Sequence, residues 1–426
     1  MRICVLLVTA LLALFSCTAP DDTYTLVIEG YDWGPAASKV ILPLEKETSS
    51  IEGLEFSVTV QRKAECEEIK PEESEGESRV VSSYVSDARG NRSAKGKHIT
   101  LELEISPDLP LSNPFHYSDE NGCTGSEWAS VYALQVHEKT QGSLWTQEKN
   151  RIMPLVDKFN LDEIFSFSPD MEMNYAYFSP SIRDAQVPLI IWLHGGGEGG
   201  HDTTIPLLAN RAANYASEEI QKFFGGAHVL VPQCPGAWMQ NQAGEVTWGR
   251  ENDRYNEALM ALIKEFVREN PSIDPNRIYI GGCSNGGYMS LKLILLHPEY
   301  FAAGFISALA YKSEFISDSE LESIKDVPLW FIHSKDDETT LPEETVVPVY
   351  NRLKSLGAKD LHFSFFDHVT DITGDYGGQE HRYSGHWSWI YSHANKAIVN
   401  SEGQPVESLE GKPSLMDWLA TQSTDR

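Results

Sequence analysis

Residues 277–290 read Arg-Ile-Tyr-Ile-Gly-Gly-Cys-Ser-Asn-Gly-Gly-Tyr-Met-Ser: an apolar, β-branched run, a turn of small residues, then the start of an amphipathic helix. Within the turn, Gly282-Cys283-Ser284-Asn285-Gly286 has the form G-x-S-x-G. Glycines two before and two after the serine let a strand and a helix approach closely at a sharp, strained turn. Such a turn lifts the serine hydroxyl to the carboxyl edge of a sheet, at the positive end of the following helix. The pattern is short and common, so its meaning depends on what the rest of the chain supplies.

The chain has 426 residues, long enough for a large core and more than one domain. Its net charge of −28 argues against a nucleic-acid partner, which would require basic surface to neutralise phosphate. Part of this acidity is local, in the run 65–77, which reads as a solvated loop. At the N-terminus one arginine precedes an apolar stretch, residues 3–15, and Ser16-Cys17. This is the pattern of a secretory signal over residues 1–17, too short for a spanning helix. Leu14-Phe15-Ser16-Cys17 also resembles a bacterial lipobox, which implies a secreted, cell-envelope protein anchored through acyl chains on Cys17, its one membrane contact. Export would permit disulfides, with Cys66–Cys123 and Cys234–Cys283 as the candidate pairs. The second pair has a geometric difficulty. Its two strands should flank a third and so start about 9–10 Å apart, whereas a bridge spans roughly 4.4–6.8 Å between Cα atoms.

Residues 22–150 alternate short apolar runs (24–29, 39–43, 54–60, 80–85 and 99–105) with polar turns, which predicts a small β-sandwich. No catalytic constellation lies there, so this part reads as a positioning or binding module, with an oligomer through it left open. Over residues 160–426 the pattern changes to apolar strands (188–194, 227–232, 277–280, 303–306, 328–332 and 361–366) alternating with helices such as 254–270 and 343–356. This predicts a doubly wound, mostly parallel α/β sheet covered on both faces.

A nucleophilic serine needs a base, a group to orient that base, and donors for the developing oxyanion. His194-Gly-Gly-Gly-Glu-Gly-Gly200 follows the 188–193 run and looks like the glycine-rich oxyanion loop of lipases and esterases. Gly196 or Gly197 would supply one N–H and Asn285 the other. The acid falls in His333-Ser-Lys-Asp-Asp-Glu-Thr-Thr-Leu-Pro342. This segment resembles the hydrolase pattern H-G-x-x-D-x-x-V-P. Counting from His333, that resemblance implies Asp337, with Asp336 as the alternative because Pro342 lies one residue further on than in the pattern. Among thirteen histidines, His386 in Tyr383-Ser-Gly-His-Trp-Ser-Trp-Ile390 follows a strand and precedes a helix, so it is the candidate base. His381 and His393 read as surface residues. Trp238 and Trp387 are candidates for lining a pocket, and Glu198 for fixing the oxyanion loop or touching substrate, against the plainer reading of a solvated carboxylate. No metal or redox cofactor is required, and Asp367, Asp371 and Asp375 read as turn residues because they lack calcium-loop spacing.

Leu193–Gly200, Pro232–Trp238, Gly282–Gly287 and Ser384–Trp389 together resemble the α/β-hydrolase superfamily. Specifically they are similar to serine esterases of the prolyl-oligopeptidase and polyhydroxybutyrate-depolymerase type that carry an immunoglobulin-like domain ahead of the hydrolase. The order Ser284, Asp337, His386 is that of these enzymes. The resemblance implies two-step acyl transfer on a small-molecule or polymer ester. A peptidase of the same mechanism is the nearest rival, and a non-catalytic surface binding lipoprotein the rival of another class.

Overall fold

The computed structural model describes residues 22–120, 123, 125–182, 185–398 and 414–425. The signal-like segment and Cys17 lie outside the described residues.

The N-terminal part is a two-sheet sandwich. One sheet has the order Gln147–Ile152, Thr23–Tyr31, Gly34–Thr48, Gly96–Leu103, Val80–Ser86, and the other Leu144–Trp145, Val131–Glu138, Phe56–Lys63, Glu75–Ser78. Period-two alternation is visible in Phe56–Lys63, where Val58, Val60 and Arg62 turn inward and their neighbours outward. Burial of Arg62 is compensated by a hydrogen bond, which its guanidinium donates to Phe115 O at 2.5 Å. Phe115 opens a separate hairpin, Phe115–Ser118 paired with Gly125–Trp128. Cys66 and Cys123 form a disulfide that ties the end of this hairpin to the segment after Phe56–Lys63. The hairpin, Val131–Glu138 and Glu75–Ser78 carry weak apolar patterns and did not stand out in the sequence.

The C-terminal part is built on an eight-stranded sheet. Its order is Asn160–Ser168, Met171–Phe178, His228–Gln233, Val187–Leu193, Ile273–Cys283, Ala303–Ser307, Leu329–Ser334, Leu361–Phe366. The expected six strands are parallel, and the first two form an antiparallel hairpin at one edge. Val187–Leu193, His228–Gln233 and Ala303–Ser307 are buried throughout, which explains their unbroken apolar runs. The helix Asn285–Leu296 departs from the amphipathic expectation: residues 285–295 are all buried, because it lies between the sheet and further helices.

The two faces of this sheet carry two cores. Leu189, Ile191 and Leu193 pack on one side, with the helix Asn256–Glu269. Ile190 and Trp192 pack on the other, and this core runs without interruption into the sandwich through Leu208 to Leu26 and Leu134. Arg211 bridges the same junction, donating to Asp32 at 2.9 Å. The sandwich is thus seated on the eight-stranded sheet by apolar burial, which fixes what its hairpin can reach.

Candidate active site

Ser284 ends the Ile273–Cys283 strand and precedes the helix Asn285–Leu296. Its backbone has φ 53° and ψ −115°, a strained conformation held by the packed elements on either side. The flanking glycines have a steric cause. A Cβ on Gly282 would meet Gly286 O at 2.5 Å, and one on Gly286 would overlap Leu193 O. Only bare backbone lets the helix close onto both strands. Tyr288 N bonds back to Ser284 O at 2.9 Å, so the Asn285 N–H in the first turn has no intrahelical acceptor.

Asp337 lies in the loop after Leu329–Ser334 and is buried. Its carboxylate accepts from Thr339 N and Thr340 N at 2.9 Å and from Thr340 Oγ1 at 2.7 Å. His333 Nε2 is 3.0 Å from Asp337 Oδ2 and 3.0 Å from Thr340 O, so with acceptors around it this nitrogen carries the proton. Burial opposes ionisation of Asp337, but the hydrogen bonds and charge of His333 and His386 outweigh it and hold the carboxyl well below its usual range. His386 Nδ1 sits 3.0 and 3.1 Å from the two Asp337 oxygens. Nδ1 is therefore the protonated nitrogen, and Nε2 is left with its lone pair. Gly385 is needed beside it, since a Cβ there would overlap Asp336 O. Asp336 turns elsewhere, accepting from His368 Nδ1 at 2.7 Å and from Ser334. Of the two candidate acids, Asp337 is the one against His386. Among the described residues no hydrogen bond joins Ser284 Oγ to the His386 ring, although both stand at the carboxyl edge of the sheet; such contacts often tighten only when substrate binds.

The glycine-rich loop Gly195–Gly200, the candidate oxyanion loop, leaves the neighbouring Val187–Leu193 strand after His194. His194 is fully buried, and burial pushes its pKa down to about 4. Its Nδ1–H donates to Gly195 O at 2.6 Å and its Nε2 accepts from Cys234 N at 3.0 Å, so it is a strut between two loops. Gln233 Nε2 adds a bond to Glu198 O at 3.0 Å. Glu198 is not a solvated carboxylate. Its side chain folds back beneath the loop toward Gly195 and Cys283, and Oε2 has no partner among the described residues. Burial raises its pKa to about 7 against the opposing Gly195 N–H. Gly196 is exposed and Gly197 half-exposed, with Asn285 close to Gly196.

Three expectations need correction. Trp238 is fully buried and lines no pocket: its backbone N–H donates to Asn285 Oδ1 at 2.5 Å and its indole N–H to His194 O at 3.1 Å, fastening the serine turn to the oxyanion loop. Cys234 and Cys283 are free thiols, because they pack into the cores on opposite faces of the sheet with the Val187–Leu193 strand between their strands. His393 is buried against Trp192 and Tyr215 with no partner on either ring nitrogen among the described residues, and burial lowers its pKa to about 3. Trp387 is half-buried and stacks on Tyr383 at 5.8 Å, beside His386. A cavity of about 420 Å³ adjoins Thr340, between Trp248, Arg250, Lys312 and Phe315. The sequence singles out neither Thr340 nor this cavity, and His333 serves there only as the anchor from which the acid is counted.

Residues 23–153 match the family described as the esterase immunoglobulin-like N-terminal domain, and residues 236–319 match the prolyl oligopeptidase family. A poly(3-hydroxybutyrate) depolymerase of Ralstonia pickettii is 24% identical over 184 residues, covering 42% of this chain and 36% of that protein. A probable carboxylesterase SOBER1-like protein of Arabidopsis thaliana is 27% identical over 173 residues, covering 36% of this chain and 62% of that one. The chain thus spans less than two thirds of the length of these relatives. The crystal structure of a thermostable esterase superposes with a TM-score of 0.73 at 23% identity, over 94% of this chain and 99% of that one. Fold and matched families agree in both halves: the chain has the α/β-hydrolase fold, with a segment that matches the esterase immunoglobulin-like domain ahead of one that matches the prolyl oligopeptidase family.

Proposed function

We propose that this protein hydrolyses carboxylic esters through a covalent acyl-enzyme on Ser284. The observation that carries the reading is the hydrogen bond of His386 Nδ1 to buried, ionised Asp337, at the same sheet edge as the strained Ser284 turn. His386 Nε2 would take the Ser284 proton as Oγ attacks the carbonyl, then deliver it to the departing alcohol. Asp337 would hold the imidazole tautomer and stabilise the imidazolium. The N–H of Gly196 or Gly197 and that of Asn285 would receive the oxyanion, each donor contributing about 3–4 kcal/mol to the transition state. Water activated by His386 then releases the acid. Trp387 would border the alcohol or acyl group, and Glu198 would shape the oxyanion loop from beneath. Both small-molecule and polymer esters fit this chemistry.

The test is hydrolysis of short and medium 4-nitrophenyl esters by the wild type and Ser284→Ala. The expected result is turnover that the substitution abolishes, together with fluorophosphonate labelling of Ser284. Absence of both would sink the enzyme reading and favour a binding protein. The match to the prolyl oligopeptidase family supports a second reading, a peptidase of the same mechanism, which cleavage of peptide amides in preference to esters would establish.

We also infer export and lipid anchorage at Cys17. The Cys66–Cys123 bridge supports an oxidising compartment. Among the described residues no helix is long and apolar enough to cross a membrane. Palmitate incorporation that Cys17→Ala fails to remove would contradict the anchor.

A further inference from the structure

The sandwich touches the oxyanion loop directly. A Cβ on Gly125 would overlap Gly197 O, and a Cβ on Gly197 would lie 2.8 Å from Tyr117 Cε2. Both partners come from the Phe115–Trp128 hairpin, which is held from behind by the disulfide, by Arg62 on Phe115 O, and by His116 Nε2 at 2.8 Å from Glu67. On the hydrolase side, Trp128 Nε1 donates to Thr204 Oγ1 at 3.0 Å. The hairpin is therefore fixed at both ends of its path. Tyr117 is nonetheless 64% exposed, although its ring edge lies against the backbone that would bind the oxyanion. A ring that served only to pack would be buried at this junction, as Phe115 is. A large aromatic kept in solvent on a braced support, in contact with the reacting centre's loop, is placed to meet a ligand.

We propose that Tyr117 is a specificity-determining residue of the active site: its ring forms the wall beside Gly197 and stacks on a planar ring carried by the ester. The proposal rests on the esterase reading above and deepens it by naming the substrate class, ring-bearing esters. It also gives the immunoglobulin-like domain a place in the substrate site.

The experiment uses the full chain and measures kcat and KM by pH-stat for methyl acetate, methyl benzoate and phenyl acetate. In Tyr117→Ala, KM for at least one ring-bearing ester should rise about three- to tenfold, the loss of one aromatic contact, with the change falling on KM rather than kcat. Its preference over methyl acetate should fall by the same factor. Whichever of methyl benzoate and phenyl acetate responds identifies the acyl or alcohol side. Tyr117→Phe, which keeps the ring, should restore the preference. An unchanged preference in Tyr117→Ala overturns the proposal while leaving the esterase reading intact. An equal loss of kcat on all three esters also overturns it, because the hairpin would then only brace the loop. If the wild type hydrolyses no ester at all, both readings fall.

Discussion

Asp337 and Glu198 are buried carboxyls at the same sheet edge, yet the first is held well below the usual range and the second is raised to about 7. Burial penalises charge at both. The difference is the number of donors. Asp337 receives two backbone N–H groups, the Thr340 hydroxyl and two histidines. Glu198 has the Gly195 N–H and an oxygen with no partner among the described residues. The acid–base side is thus a carboxylate surrounded by donors within one domain. The oxyanion side is a glycine loop over a poorly solvated carboxyl, buttressed by a hairpin from the other domain. In the proposed mechanism ionisation is useful on the first side, where Asp337 would stabilise an imidazolium. On the second, a negative charge beneath the loop would oppose the oxyanion.

The largest expected effect breaks the donor-rich side. Asp337→Asn removes the charge and reverses the His386 tautomer, so kcat for an ester should fall about ten-thousand-fold. A loss below tenfold would exclude Asp337 as the orienting group. The same variant should weaken the acid dependence of stability. The depressed carboxyl contributes fully above the ordinary aspartate value and loses its contribution as pH falls toward its folded value, whereas asparagine has no such slope.

The next effect belongs to Glu198 and has the opposite sign. The folded protein keeps a proton that the unfolded chain loses near pH 4.3, so stability should fall as pH rises from there to about 7 and stay reduced above. Wild type should lose roughly 2–4 kcal/mol between pH 4 and pH 8 that Glu198→Gln does not, as read from urea midpoints at both pH values. Parallel pH profiles would show that Glu198 finds a partner.

Gly125→Val tests the buttress. Its side chain would push the hairpin off Gly197, and kcat should drop about tenfold to hundredfold through a displaced oxyanion donor. Because Gly125 has φ 114° the thermal midpoint should fall too, so kcat is compared well below the midpoint of the variant. Retained kcat would uncouple the domain from the loop. The smallest effect is that of His381→Ala, which should leave kcat within about twofold, since His381 lies in a half-exposed turn bonded through its backbone to Asp371. His386→Ala should abolish turnover, and the reverse pattern would refute the choice of base.

Much of this was legible where the signal is local. The strands of the parallel sheet are continuous apolar runs because both faces are covered, and the serine turn announces itself through glycines whose neighbours leave no room for a Cβ. Weak or misleading signals failed for identifiable reasons. The hairpin Asn160–Ser168 and Met171–Phe178 is an edge with many exposed residues, so its pattern is diluted. His393 looked like a surface histidine because nothing in its neighbours reports Trp192, some two hundred residues earlier. Trp238 offered an aromatic ring near the motifs, but its role depends on Asn285 and His194.

By itself, the sequence determined the strand–turn–helix around Ser284, the glycine-rich loop after the neighbouring strand, the two-part architecture and the chain order of Ser284, Asp337 and His386. These follow from short-range sterics and hydrophobic period, which neighbouring residues carry. Only the tertiary structure decided that Asp337 and not Asp336 faces His386, that Cys66 pairs with Cys123 while Cys234 and Cys283 lie on opposite faces, that Glu198 is buried, and that Tyr117 stands over Gly197. Each of these depends on which segments distant in sequence are brought together, and on the solvent and donors left around a group once they meet.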